Sequence, residues 1–219
     1  RECSIQRKRQ KLVEEATSPS LPPKVRNEIW KAAIKAAKSI QFRNAGTVEF
    51  VIDEDDKFYF LELNARIQVE HTISEMITGI DLVKEQIRLA TGDRLGYGQS
   101  EIQFNGHAIE CRINAEDPEN NFAPSPGLIQ HCLLPGGIGV RLDTHIYTGY
   151  TIPPYYDSLV GKLITHGQDR TEAIARMRRA LSELTIEGIK TTIPLHKRIM
   201  RDNRFLSGTV STSFLEKLL

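Results

Sequence analysis

Residues 61–71 read Leu-Glu-Leu-Asn-Ala-Arg-Ile-Gln-Val-Glu-His (LELNARIQVEH), and the placing of their polar members decides how the chain is read. Glu62, Asn64, Arg66, Gln68 and Glu70 stand at every second position. Successive side chains of a strand point to opposite faces, so an extended backbone would set all five on one face. Carboxylates, amides and a guanidinium are costly to bury and poor at packing. A row of them has the makings of a site, with carboxylates to hold cations and an arginine to hold an anion.

Upstream, residues 46–52 (GTVEFVI) and 57–64 (KFYFLELN) are β-branched and aromatic runs separated by Asp53-Glu54-Asp55-Asp56. This pattern predicts an antiparallel hairpin with an acidic turn. On its second strand Phe58, Phe60, Glu62 and Asn64 are expected to share one face. Glu49 lies near the start of the first strand and Glu62 near the end of the second, so pairing brings the two carboxylates together. With the amide oxygen of Asn64 they make a hard-oxygen set suited to Mg²⁺ or Mn²⁺. The plainer alternative for Glu49 alone is a solvated carboxylate; Glu62-x-Asn64 opposite it favours the cation.

With these residues in view, Phe60-Leu61-Glu62-Leu63-Asn64-Ala65-Arg66-Ile67 resembles the carboxylate–asparagine–arginine signature of ATP-grasp ligases. The longer run through Gln68-Val69-Glu70-His71 resembles biotin carboxylase, the ATP-dependent component of acetyl-CoA, propionyl-CoA and pyruvate carboxylases. So do RECSIQRKRQK at 1–11, GHAIECRINAEDP at 106–118 and PPYYDSLVGKLI at 153–164. The resemblance implies an α+β chain: the C-terminal half of an ATP-grasp domain over residues 1–100, then a biotin carboxylase C-terminal domain over 101–219.

The same resemblance implies an ATP-dependent ligase that carboxylates biotin on a carrier protein, using bicarbonate and MgATP through carboxyphosphate. Glu49, Glu62 and Asn64 would hold Mg²⁺ or Mn²⁺, expected as two ions, and Glu49 and Glu62 would meet ATP through them. Arg66, Gln68 and Val69 match the bicarbonate set, the arginine offering a planar fork for a carboxylate-like anion. Glu70 matches the base that takes the bicarbonate proton, a task that asks for a raised pKa. Arg112 matches the arginine that stabilises the enolate form of biotin; by spacing alone it reads as a strand-end arginine in a surface ion pair. Lys11 matches a lysine near bicarbonate and the phosphates, and Gln6 a residue near the ATP ribose. Arg9 stands where the family more often has histidine, and an arginine cannot accept a hydrogen bond there. Gln6, Lys8, Arg9 and Lys11 are read as lying along one extended segment.

Composition bounds other readings. Lys plus Arg (29) nearly balances Asp plus Glu (28) over 219 residues, which gives no global field for nucleic acid or a membrane surface. The three cysteines show no CxxC spacing and read as reduced thiols. No apolar run nears the ~18–20 residues of a membrane span, so a cytoplasmic location is expected, or the mitochondrial matrix in a eukaryote. The chain starts at Arg1 inside a motif, and the resemblance places the nucleotide lid upstream. It therefore reads as a fragment without activity of its own. A biotin carboxyl carrier, a carboxyltransferase and a second copy as homodimer are the partners implied; the final acyl acceptor is not legible.

Elsewhere, helices are expected over 22–39, from Asp81 as cap to Ala90 with Gly92 beyond it, over 170–184 capped by Asp169, over 191–200, and over 212–218 capped by Ser211. Strands are expected near 102–114, 128–133, 139–143 and 159–166. Pro135-Gly136-Gly137-Ile138-Gly139 lacks the spacing and following helix of a phosphate loop and reads as a turn. Two other function classes remain open. The chain could be a docking module, with Tyr155-Tyr156-Asp157-Ser158 meeting a carrier or another protein. Alternatively it could belong to another ATP-grasp carboxylate–amine ligase, which would share Glu49, Glu62 and Asn64 but leave the IQVEH and ECRINAEDP runs without a use.

Overall fold

The computed structural model describes residues 1–219 and begins with a hairpin, β1 (Glu2–Arg7) and β2 (Gln10–Ala16). Its two-residue turn, Lys8-Arg9, has φ of 48° and 69°, the left-handed pair that suits the twist of a tight hairpin. The extended reading of this segment is thus corrected: Gln6 lies opposite Lys11 across the hairpin, and Arg9 sits in the turn.

Next come α1 (Pro23–Ser39), the hairpin β3 (Thr47–Ile52) and β4 (Phe58–Asn64), α2 (His71–Thr78) and α3 (Leu82–Ala90). Pro23 opens α1, where a missing N–H costs nothing. Asp81 caps α3 by accepting from the Lys84 N–H, and Gly92 follows with φ 98°. Trp30 packs on Phe104, ring centroids 5.1 Å apart, so it serves packing as its helical position suggests. α2 is an addition to the expected elements, since it begins where the extended reading of 61–71 ends.

The remainder holds β5 (His107–Asn114), β6 (Glu116–Asp117), β7 (Ala123–Pro124), β8 (Gly127–Leu128), β9 (His131–Leu133), β10 (Val140–Thr144), β11 (Thr151–Ile152), β12 (Leu159–Gly167), α4 (Arg170–Glu183), β13 (Thr185–Glu187), α5 (Ile193–Ile199) and α6 (Asn203–Leu206). Asp169 caps α4 as expected. The segment 212–218 forms turns rather than the expected helix, and α6 lies upstream of it. Pro135 to Gly139 joins β9 to β10 as a turn, with Gly137 and Gly139 at positive φ.

Five strands form an antiparallel sheet in the order β1-β2-β5-β12-β10. One face carries Ile109, Cys111 and Leu163 against Ala173, Met177 and Leu181 of α4, all fully buried. Residues 1–17 therefore belong with 105–219 in one compact unit, and 18–104 form the other. A boundary drawn near residue 100 separates the first hairpin from the sheet it completes.

Candidate functional site

Within the unit 18–104, β3 and β4 set Glu49 opposite Glu62, as the hairpin reading requires. The next pair is Phe50 with Phe60, so β4 carries one extra residue at Leu61. Adjacent residues Glu49 and Phe50 face opposite ways, and the bulge makes Glu62 and Phe60 do the same. This corrects the shared face expected for Phe60 and Glu62. The rings of Phe50, Phe58 and Phe60 cluster, at 5.6 and 6.3 Å from Phe50, while the carboxylates are segregated from them.

Amides converge on those carboxylates. Asn64 Nδ2 donates to Glu62 Oε1 at 2.7 Å and to Glu49 Oε1 at 3.4 Å. Gln68 Nε2 makes a short hydrogen bond to Glu49 Oε1. The two carboxylates are thus braced by amide N–H groups turned toward their oxygens. An amide presents its oxygen instead of its NH₂ on a half-turn, which would let Asn64 join Glu49 and Glu62 around a hard cation. The donor set fits Mg²⁺ or Mn²⁺.

Beyond Asn64 the row does not stay extended. β4 ends there, the chain turns through 65–70, and α2 begins at His71. Arg66 is exposed and its Nη1 donates to the Ile67 carbonyl at 3.1 Å. Val69 is half-buried, whereas Gln68 and Glu70 are 6% and 2% exposed. Glu70 occupies the residue before α2. His71 is held through Nδ1, which donates to the Gln68 carbonyl at 2.7 Å. Glu49, Glu62, Asn64 and Gln68 are brought together; one face for all five polar residues is not.

The other residues singled out lie in the unit of 1–17 and 105–219. Gln6 and Lys11 are cross-strand neighbours, and Arg9 is exposed. Arg112, on β5, meets Glu14, on β2: Nε lies 2.6 Å and Nη2 2.5 Å from Glu14 Oε1. Its carbonyl accepts from Thr192 Oγ1 at 2.9 Å and His196 Nε2 at 2.7 Å. The ion pair read from spacing is present, but it is buried rather than at the surface: Glu14 is 0% exposed. Cys111 lies beside it, its thiol pushed well up by burial and by Glu14, Glu110 and Glu15, which makes it inert. Sequence reasoning misses Glu14 because its partner is 98 residues away; the signal available was two carboxylates inside the apolar run LVEEA.

Residues 110–217 match the family "Biotin carboxylase C-terminal domain", and residues 1–97 match "Carbamoyl-phosphate synthase L chain, ATP binding domain". Over its whole length the chain is similar to biotin carboxylases. A biotin carboxylase of Nostoc sp. is 57% identical over 218 residues, 100% of this chain and 49% of that protein. Biotin carboxylase 1 of Bacillus subtilis is 56% identical over 217 residues, 99% of this chain and 48% of its own length. A solved biotin carboxylase domain dimer of the Hydrogenobacter thermophilus 2-oxoglutarate carboxylase, in complex with MgADP, ADP and bicarbonate, superposes with TM-score 0.96 at 52% identity. That match covers 98% of this chain and 48% of the solved one. The chain spans about half the length of the curated relatives it matches. The fold is α+β, part of an ATP-grasp domain followed by a biotin carboxylase C-terminal domain. No helix is long and apolar enough to cross a membrane.

Proposed function

We propose that the chain is part of a cytoplasmic biotin carboxylase, acting with ATP, bicarbonate and biotin borne on a carrier protein. The carrying observation is the Glu49–Glu62 pair on which the Asn64 and Gln68 amides converge. In this reading Glu49, Glu62 and Asn64 hold divalent cations, which when bound neutralise charge on the phosphates of ATP. Gln6, Arg9 and Lys11 serve the nucleotide, and Lys11 also serves bicarbonate. Arg66, Gln68 and Val69 bind bicarbonate, and Glu70 takes its proton as the bicarbonate oxygen attacks the γ-phosphoryl group of ATP. The guanidinium of Arg112 offsets the negative charge on the ureido oxygen of deprotonated biotin. A carboxyltransferase and a second copy of the chain are the further partners of this reading, and the solved relative described as a dimer supports the latter.

The test completes the chain with the residues of the Nostoc relative that the match leaves uncovered, then follows bicarbonate-dependent ADP release and carboxybiotin with free biotin. Activity is expected, with Glu70→Gln abolishing it. Glu62→Gln should weaken Mn²⁺ binding, read by water-proton relaxation, at least ~10-fold, the scale on which altered metal surroundings act. Tight MgATP binding without any carboxybiotin would sink the reading.

A further inference from the structure

Two consecutive glutamates of β2 are buried, and they do different things. Glu15 faces α4, where His107 Nε2 lies 2.8 Å away and Arg170 reaches both of its oxygens at 2.7 and 3.0 Å. Arg170 also donates to the Phe205 and Leu206 carbonyls, so Glu15 ties the sheet to distant segments. Glu14 faces the other way, toward a neighbouring strand: opposite Glu110, it accepts from Arg112 two positions along β5. β2 and β5 are already joined there by backbone pairing from Val13–Cys111 to Ala16–Ala108. A buried charge pair is an expensive way to reinforce a ladder, and as a tether it adds nothing that the ladder lacks. What it does fix is the head of the arginine.

The rest of Arg112 is fixed as well. β2 stops pairing with β5 one residue short of Arg112, and α5 takes over. The Thr192 hydroxyl donates to the Arg112 carbonyl and accepts from the Asn114 N–H at 2.9 Å, while His196 donates to the same carbonyl. The side chain of Arg112 is 12% exposed. A guanidinium gripped along one edge, on a backbone gripped at its carbonyl, is oriented before any anion arrives.

We propose that Glu14 is a positioning residue: it holds the Arg112 guanidinium in the plane in which that group meets the ureido oxyanion of biotin. This rests on the role given to Arg112 above. Four proteins test it, each completed to the length of the relatives: the parent, Glu14→Gln, Arg112→Gln and the double variant, which carries neither buried charge. Glu14→Gln is expected to lower kcat for biotin carboxylation about 10²-fold, the scale of a misplaced reacting group, with the KM for ATP moving less than about twofold. Adding Glu14→Gln to Arg112→Gln should cost nothing more, since no guanidinium is left to orient. Multiplying losses, an equal rise in the KM for ATP, or an unchanged kcat in Glu14→Gln would each overturn the assignment.

A second readout needs no turnover. In the 219-residue chain labelled with ¹⁵N-arginine, the Arg112 Nε–H should exchange slowly with water and should lose that protection in Glu14→Gln, while the β5 backbone amides keep theirs. Unchanged Nε–H exchange refutes the grip itself. A parent protein that makes no carboxybiotin removes the functional reading and the proposal with it; an active parent with an indifferent Glu14→Gln removes the positioning role alone.

Discussion

His196 is fully buried on α5, as are its neighbours Ile193, Leu195 and Ile199 of that helix and Met200 just beyond it. Its Nε2 donates to the Arg112 carbonyl, which leaves Nδ1 as the unprotonated nitrogen, and Nδ1 has no hydrogen-bond partner. A proton added there would place a cation in an apolar site with nothing to accept from it. Burial accordingly pulls the imidazole from 6.5 down to about 4, against the opposing pull of the Arg112 carbonyl. The unfolded chain therefore binds this proton first as pH falls. Stability is complete above about pH 6.5 and is lost on descent toward pH 4. That gap, at ~1.36 kcal/mol per pH unit, amounts to about 3 kcal/mol. The variant His196→Gln keeps an N–H at similar reach of the carbonyl and does not titrate. Urea denaturation followed by far-UV circular dichroism from pH 7.5 to 4.5 should show the parent losing about 2–3 kcal/mol relative to the variant. All other ionisable groups are common to both proteins and cancel in the difference. A difference flat to within ~0.5 kcal/mol, well below the scale set by this linkage, would show that the imidazole is not held neutral by its surroundings.

Arg170→Met should leave the buried Glu15 carboxylate without its guanidinium, with His107 beside it, costing roughly 3–5 kcal/mol, or a fall in Tm of roughly 6–20 °C for a chain of this size. Glu15→Gln in the same protein should recover most of the loss, and a Tm change below ~2 °C in a thermal melt would contradict the tether. Burial pushes the Glu15 carboxyl up, but the bonds from His107 and Arg170 outweigh it and hold the group below its ordinary 4.5. The tether is thus present at neutral pH and weakens only as acid drives the pH below that range. Asp202 caps α6 through the Arg204 N–H at 2.8 Å, and Asp202→Ala should cost about 1 kcal/mol in the same melts. Chiefly the Arg204 side chain holds the Asp202 carboxyl down at about 2, so an NMR titration should find the cap intact below the usual 3.8 and lost as pH falls through about 2.

What could be read from the chain followed local physics. The hairpin 47–64 announced itself through alternating β-branched and aromatic residues around an acidic turn, and Glu49 does face Glu62. Period-2 reasoning then ran too far. Gln68 and Glu70 keep the spacing of a strand, yet the chain turns at Ala65 and coils at His71, where Ile73 and Ile77 at helical spacing and Gly79 at φ 71° were the signs to weigh. The bulge at Leu61 has no sequence mark; ring packing decides it. Lys8-Arg9 closes a hairpin without the glycine or asparagine that such turns prefer, so the turn was hidden. Glu14 with Arg112 depends on strands far apart in sequence, and no window of a dozen residues contains both.

The pairing of β2 with β5 also has a consequence for how the protein comes off the ribosome. Ala16 and His107 are separated by most of the first half of the chain. At ~5–20 residues per second, roughly 5–20 s pass before the second strand follows the first. Throughout that interval β2 offers an open edge to any other nascent chain. Leu12 and Val13 alone would make it adhesive; Glu14 and Glu15, hydrated until the sheet closes over them, keep it in water. The carboxylates that are hardest for the finished sheet to enclose are the ones that guard the strand while it waits.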